Sequence, residues 1–371
     1  MKRRTEKKLQ IRKVYGKYAA GAVFLAGLLC LTGCGGRVQR YDSLDTAMGT
    51  VIRQSIYSGE DITAQVQEII RSLEESELSW RLADTEIAKI NAASGSGEAV
   101  LVSEKLYKDL TILLEVSQKS GGAFDFTVGP VVQLWNIDEW AAGEQVSGKQ
   151  AAGEQVSGKQ AAGEQAEAVI PDKEEIARAL QYTGYEKVLL EDGGVTLLEG
   201  MSLDLGAVGK GLACDRIAAL LEEKEVYGAV ISVGGSILTY GKKPDGTPWQ
   251  VGIINPENTS SMIGILSLEG QWCVSTSGDY ERYVIVDGVK YHHILNPATG
   301  YPADSGIRSV TVFCKSGVLS DALSTACFVL GVEEGMELAK SYGAEVLFVD
   351  EEGMITMTDG MKDIFKETGE N

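Results

Sequence analysis

Apolar residues recur three or four positions apart over Ile62–Leu73, Glu86–Ile90 and Lys105–Lys119, which predicts amphipathic helices there. A further helix opens within Pro171–Leu180, where proline comes early and acidic residues occupy the first turn. Strands then dominate, at Lys187–Leu190, Thr196–Leu198, Ser202–Leu205, Ala229–Val233, Trp249–Ile254, Ile263–Leu268 and Trp272–Ser275. Tyr283–Val286 and Val289–Ile294 flank Asp287-Gly288, the signature of a hairpin with a type I′ turn. Ser309–Cys314 reads as a strand, and Leu212–Lys224, Ser320–Leu330 and Glu333–Ser341 read as helices. Glu345–Val349 and Met354–Met357 flank a short Glu-Glu-Gly turn. The mixture predicts an α+β protein with largely antiparallel sheets and helices packed outside them.

One stretch carries no such pattern. AAGEQVSGKQ at Ala141–Gln150 recurs at Ala151–Gln160 and restarts as AAGEQ at Ala161–Gln165. Its only large apolar residue is one Val per copy, and so few copies cannot build a solenoid core. It reads as a solvated insert between an N-terminal portion, Tyr41–Trp140, and a C-terminal one, Ile170–Lys366.

The first residues change the expected compartment. Met1–Lys17 holds eight basic residues and one Glu, followed by an apolar run, Ala19–Leu31, that ends in Leu31-Thr32-Gly33-Cys34. A basic start, a short apolar run and small residues describe a secretory signal, and the run is too short for an ordinary spanning helix. The last four residues resemble a bacterial lipobox, in which Cys34 is lipidated once residues 1–33 are removed. An uncleaved anchor helix is the alternative. The expected location is the extracytoplasmic face of the cell membrane, held by lipid.

Charge excludes one class of partner. Taking the 8 basic and 1 acidic residues of 1–33 from totals of 34 and 53 leaves 26 against 52, a net −26. Such a surface repels nucleic acid. An anionic ligand would need local compensation by a cation or by backbone N–H groups. Cys214, Cys273, Cys314 and Cys327 sit in apolar surroundings without metal-finger spacing, and read as buried free thiols.

Candidate chemistry is confined to a few places. SLDLGAVGKG (Ser202–Gly211) leads through three glycines into a helix, so backbone N–H groups and Lys210 can approach a phosphate; a tight turn needing positive φ is the alternative. Its spacing is not the dinucleotide fingerprint GxGxxG. A second glycine turn follows at SVGGS (Ser232–Ser236). Asp321 and Thr325 lie one helical turn apart, with Ser324 beside them, and offer hard oxygens suited to Mg²⁺. The alternative is capping, with Ser320 at the N-cap and Asp321 offsetting the macrodipole. The chain's two histidines, His292 and His293, are adjacent, and are a proton shuttle or a polar strand end beside an Asn-Pro turn.

Three segments, VSTSGDYERY (Val274–Tyr283), YHHILNPATG (Tyr291–Gly300) and SDALSTA (Ser320–Ala326), resemble the ApbE family of FAD:protein FMN transferases. The likeness extends to Met48-Gly49-Thr50, to SGGAFDFTVGPVVQLW (Ser120–Trp135), to LDLGAVGKG and to SVGGS, covering nearly all of the chain after the leader except the insert. The resemblance implies a two-lobed α+β fold with FAD between the lobes. It implies Mg²⁺-dependent transfer of FMN from FAD to a Thr or Ser hydroxyl of a target protein, releasing AMP. Met48, Ala123, Phe124 and Asp125 would line the flavin and adenosine pocket, and Asp204, Lys210, Ser277, Gly278 and His293 would contact FAD. The Ala207 carbonyl, Asp321 and Thr325 would hold Mg²⁺. His293 is the implied base, with Asp321 as rival. Arg81 stands where the family often has an aromatic residue, next to Trp80. FAD hydrolysis to FMN and AMP, and a non-catalytic flavin-binding lipoprotein, are the other readings.

Overall fold

The computed structural model describes residues 38–137 and 170–368. The leader, Cys34 and the decapeptide repeat lie outside the described residues.

The described residues open with a hairpin that the hydrophobic pattern does not reveal, β1 (Gln39–Ala47) and β2 (Thr50–Ser58). The inward positions of β2 are Ile52, Gln54, Ile56 and Ser58, so two buried polar residues break the apolar alternation. Helices α1 (Thr63–Ser72), α2 (Glu86–Ala92), α3 (Glu104–Lys119), α4 (Gly129–Trp135) and α5 (Lys173–Leu180) follow, with one small three-stranded sheet whose first strand lies between α2 and α3. There β3 (Val100–Leu101) and β4 (Leu189–Glu191) flank β5 (Gly194–Thr196). Helix α5 starts with a full capping box between Asp172 and Glu175.

Helix α6 (Gly209–Glu223) leads into β6 (Gly228–Val233) and β7 (Ser236–Gly241), then β8 (Trp249–Ile254), β9 (Met262–Leu268) and β10 (Trp272–Gly278). The hairpin β11 (Tyr283–Val286) and β12 (Val289–His292) follows, with Asp287 and Gly288 both at positive φ as its type I′ turn requires. Next come β13 (Ile307–Cys314), α7 (Gly317–Leu330), α8 (Val332–Ser341), β14 (Glu345–Asp350), β15 (Ile355–Met357), α9 (Asp359–Ile364) and β16 (Phe365–Glu367).

Eight strands form one antiparallel sheet in the order β1-β2-β6-β7-β10-β13-β14-β15. The portions before and after the insert therefore share a sheet and a main core, rather than folding apart. Helices α6 and α7 pack on one face, over Ile231, Val310 and Phe348. The other face, with Val274, Leu347 and Val349, is covered by the sheet β16-β9-β8 and Met361. Burial on both faces explains the unbroken apolar run Val346–Val349 of β14 and the continuous burial of Ser309–Cys314 in β13. The α+β class with antiparallel sheets is the architecture observed.

Two expectations need correction. Ser202–Leu205 is extended and buries Leu203 and Leu205, but it joins no sheet. It is held by one parallel bridge, Val128 to Ser202, by the Asp204 N–H donating to the Phe126 carbonyl at 2.9 Å, and by the Asn91 side chain on both backbone groups of Leu203. Helix α7 begins at Gly317, not Ser320, because Ser316 is its N-cap.

Candidate functional site

The earlier helix start decides what Asp321 does. Ser320 lies inside the first turn of α7, where its N–H donates to the Ser316 carbonyl at 3.0 Å, so the capping reading of Ser320 and Asp321 does not hold. Asp321 is instead 3% exposed between α7, α6 and the sheet. Its Oδ2 accepts the Gly211 N–H at 2.6 Å. Its Oδ1 accepts the hydroxyls of Ser236 at 2.6 Å and Ser275 at 2.5 Å. Burial pushes this carboxyl up from the usual range, while Lys210 and the three hydrogen bonds pull it down.

One turn on, the hydroxyls of Ser324 and Thr325 lie 2.8 Å and 3.4 Å from Ser277 Oγ. Alternation along β10 therefore aims Ser275 and Ser277 at successive turns of α7. Gly278 follows, and a Cβ there would meet the Tyr280 ring at 2.5 Å. The opposite wall is the loop before α6. Asp204 Oδ1 accepts the Gly206 N–H at 2.7 Å and winds that loop, leaving Ala207 exposed at its crest.

The donors fit a hard cation. A carboxylate accepts about four hydrogen bonds, and Asp321 receives three, two of them on Oδ1. Oδ2, which receives one of the three, thus keeps acceptor capacity for a further partner. Among the described residues no three His, Cys, Asp or Glu side chains gather. The set is one carboxylate with neutral oxygens, which suits Mg²⁺ completed by phosphate and water rather than zinc.

Positive charge comes from Lys210, whose Nζ is 3.9 Å from Glu281 Oε2. A Cβ on Gly235 would lie 2.9 Å from Glu281 Oε1 and 3.6 Å from Lys210 Nζ, so the second glycine turn admits both side chains. Met48 takes a left-handed conformation, φ 51°, at the β1–β2 turn, and its N–H donates to Glu74 Oε2 at 2.8 Å. Its methyl group comes over Gly209 at the start of α6, beside an open groove of about 560 Å³ along Thr46–Val51. Met48, Lys210, Ser277, Asp321 and Thr325 are thus brought to one region around the start of α6.

The two histidines differ. His292 is buried, with Nε2 3.0 Å from the Ala303 carbonyl and Nδ1 accepting the Ile294 N–H at 3.2 Å. His293 is partly exposed, and its Nδ1 lies 3.2 Å from the Arg282 carbonyl. A carbonyl only accepts, so Nδ1 carries the proton and Nε2 is the basic nitrogen.

Ala123, Phe124 and Asp125 sit deeper. Phe124 belongs to the main core. Asp125 Oδ1 accepts the N–H and hydroxyl of Thr127 at 2.8 and 2.7 Å, and Oδ2 accepts the Tyr185 N–H at 3.0 Å. These bonds brace the loop before α4, and burial pushes the Asp125 carboxyl up. Arg81 stacks on Trp80, 4.2 Å from its ring centre. Ser236, Ser275 and Glu281 are not singled out individually by sequence, although SVGGS and VSTSGDYERY contain them.

Residues 48–348 match the ApbE family model. The FAD:protein FMN transferase of Treponema pallidum is 33% identical over 364 residues, covering 91% of this chain and 93% of that protein. A protein of the same name from Klebsiella pneumoniae is 32% identical, covering 81% and 84%. The crystal structure of the ApbE protein of Thermotoga maritima is similar with a TM-score of 0.73 at 32% identity, covering 89% of this chain and 100% of that one. The match spans both sides of the insert and every segment that builds the region around α6 and α7, and the chain belongs to the ApbE family.

Proposed function

We infer that this chain is an FAD:protein FMN transferase that moves FMN from FAD to a Thr or Ser hydroxyl of a target protein and releases AMP. The observation that carries the chemistry is Asp321, a buried carboxylate with one lone pair to spare, set beside Lys210 at the end of a glycine loop. Met48, Lys210, Ser277 and the loop of Asp204 would bind FAD, with Ala123, Phe124 and Asp125 supporting the wall behind it.

Asp321, Thr325 and the Ala207 carbonyl would hold Mg²⁺. Bound there, Mg²⁺ neutralises developing pyrophosphate charge. Lys210 supplies a second positive charge to the same oxygens. His293 accepts the hydroxyl proton at Nε2, with Asp321, whose remaining lone pair the cation would take, as the rival base. The hydroxyl oxygen bonds to the phosphorus of the FMN half as the bond to the AMP phosphate breaks. Positioning and charge account for most of what such a protein contributes.

The basic start, the apolar run and Cys34 support a lipid-anchored enzyme on the extracytoplasmic face, acting on a partner at the same membrane. The test is incubation with FAD, Mg²⁺ and the organism's membrane proteins, read as covalent flavin fluorescence on a denaturing gel. A fluorescent protein band that requires all three supports the reading, and its absence with folded, FAD-binding enzyme overturns it.

A further inference from the structure

Asp215 lies on α6 in the turn after Lys210, and its side chain leaves that helix to cap another. Its Oδ1 accepts the Gly317 N–H at 2.6 Å. Its Oδ2 accepts the Val318 N–H at 2.9 Å and the Ser316 hydroxyl at 3.2 Å. Gly317 and Val318 open α7, so these are donors that a helix start leaves without partners inside the helix. Helix α7 already has its own cap, since the Ser316 hydroxyl accepts the Leu319 N–H at 3.4 Å. Starting the helix does not by itself call for a carboxylate 102 residues away.

The contact runs both ways. The Gly211 N–H, in the first turn of α6, donates to Asp321 on α7. Each helix therefore gives a carboxylate to amides at the other's start, and Gly211 and Gly317 close the crossing backbone to backbone. A slip of α7 by one residue would move its side chains about 1.5 Å along the axis. Mg²⁺ holds its oxygens at about 2.0–2.1 Å in near-octahedral geometry, so such a slip would separate Asp321 and Thr325 from a shared cation.

We propose that Asp215 is a positioning residue of the site, fixing the register at which α7 presents Asp321 and Thr325. Through the cation, this rests on the functional reading above. The test compares Asp215→Asn with Ser316→Ala in the full chain, the second removing the local cap and one hydroxyl bond to Asp215 but leaving both helix amides on its carboxylate. Two readouts are taken: MgCl₂ titration of FAD binding by flavin fluorescence, and hydrogen exchange at the Gly211 amide. Both variants are expected to melt earlier. Only Asp215→Asn should raise the half-saturating Mg²⁺ concentration, by about tenfold or more as for other residues that orient metal ligands, and speed exchange at Gly211. Coincident Mg²⁺ titrations and unchanged Gly211 exchange would overturn the proposal. If Asp215→Asn does not fold, Asp215→Glu, which keeps the charge and displaces it, carries the same comparison. If wild-type FAD binding ignores Mg²⁺, the cation reading fails, and Gly211 exchange alone decides: faster supports the role of Asp215, unchanged refutes it.

Discussion

His292 and Ala303 are joined by a hydrogen bond of 3.0 Å between Nε2 and a backbone carbonyl, which makes the first of the paired histidines a structural residue. The ring's Nδ1 is occupied as an acceptor by the Ile294 N–H, so His292 is held neutral with its proton on Nε2. A second proton would break the Ile294 bond.

A pH dependence of stability follows from this. Burial lowers the His292 pKa below its ordinary 6.5. The unfolded chain thus takes up a proton first, and the stabilisation is present above about pH 6.5 and lost as pH falls through the depressed value. Urea unfolding at pH 7.5 and pH 5.5 should show wild type losing more stability on acidification than His292→Gln. Equal losses would show that the ring titrates alike in both states. His293→Ala, by contrast, should still fold and lose flavin transfer.

Gly211 and Gly317 give a second prediction. A Cβ on Gly211 would sit 2.1 Å from the Gly317 carbonyl oxygen and 2.9 Å from Asp321 Cγ. Backbone cannot yield as a flexible side chain does, so Gly211→Ala must push α6 and α7 apart. The cost expected is about 1–3 kcal/mol, as for overpacked cores. Thermal melting should report the loss of stability and a flavin fluorescence titration the loss of FAD affinity; unchanged values would mean that the helices do not cross so closely.

Lys210 and Glu281 should act in opposite directions. Lys210→Met removes a charged donor worth about 1.5–3 kcal/mol, which is tenfold or more in FAD affinity. Glu281→Gln removes the competing carboxylate, and because that pair is loose and partly exposed, it should tighten FAD binding by no more than about 1 kcal/mol. Weaker FAD binding by Glu281→Gln would contradict an arrangement in which Glu281 stands in for a phosphate.

Local chemistry was well written in the chain, and distant chemistry was not. The Asp287-Gly288 turn fixes its own hairpin, and the periodicity of Lys105–Lys119 marks α3 within a residue or so. Strand β2 stayed hidden because Gln54 and Ser58 are buried among its apolar positions. Ser202–Leu205 looked like a strand because apolar alternation reports burial, not pairing. At the site, Asp321 and Thr325 were legible from their helical spacing. Their surroundings were not, because Ser236, Ser275 and Asp215 come from other elements 85, 46 and about a hundred residues away. No local pattern encodes such crossings, and the capping alternative at Ser320 fails because Ser316, four residues earlier, already caps the helix.

The most direct test of the central claim measures AMP released and FMN covalently attached to protein in one reaction, for wild type and for Asp321→Asn. Asparagine keeps the side chain's shape but turns an N–H₂ toward donors that need an acceptor, a loss of about 1–3 kcal/mol that a stable fold can survive. Wild type should yield AMP and protein-bound FMN in equal amounts and only with Mg²⁺, while the folded variant yields neither. AMP well in excess of bound FMN would make the enzyme an FAD hydrolase, and a variant that transfers as wild type does would contradict the role assigned to Asp321.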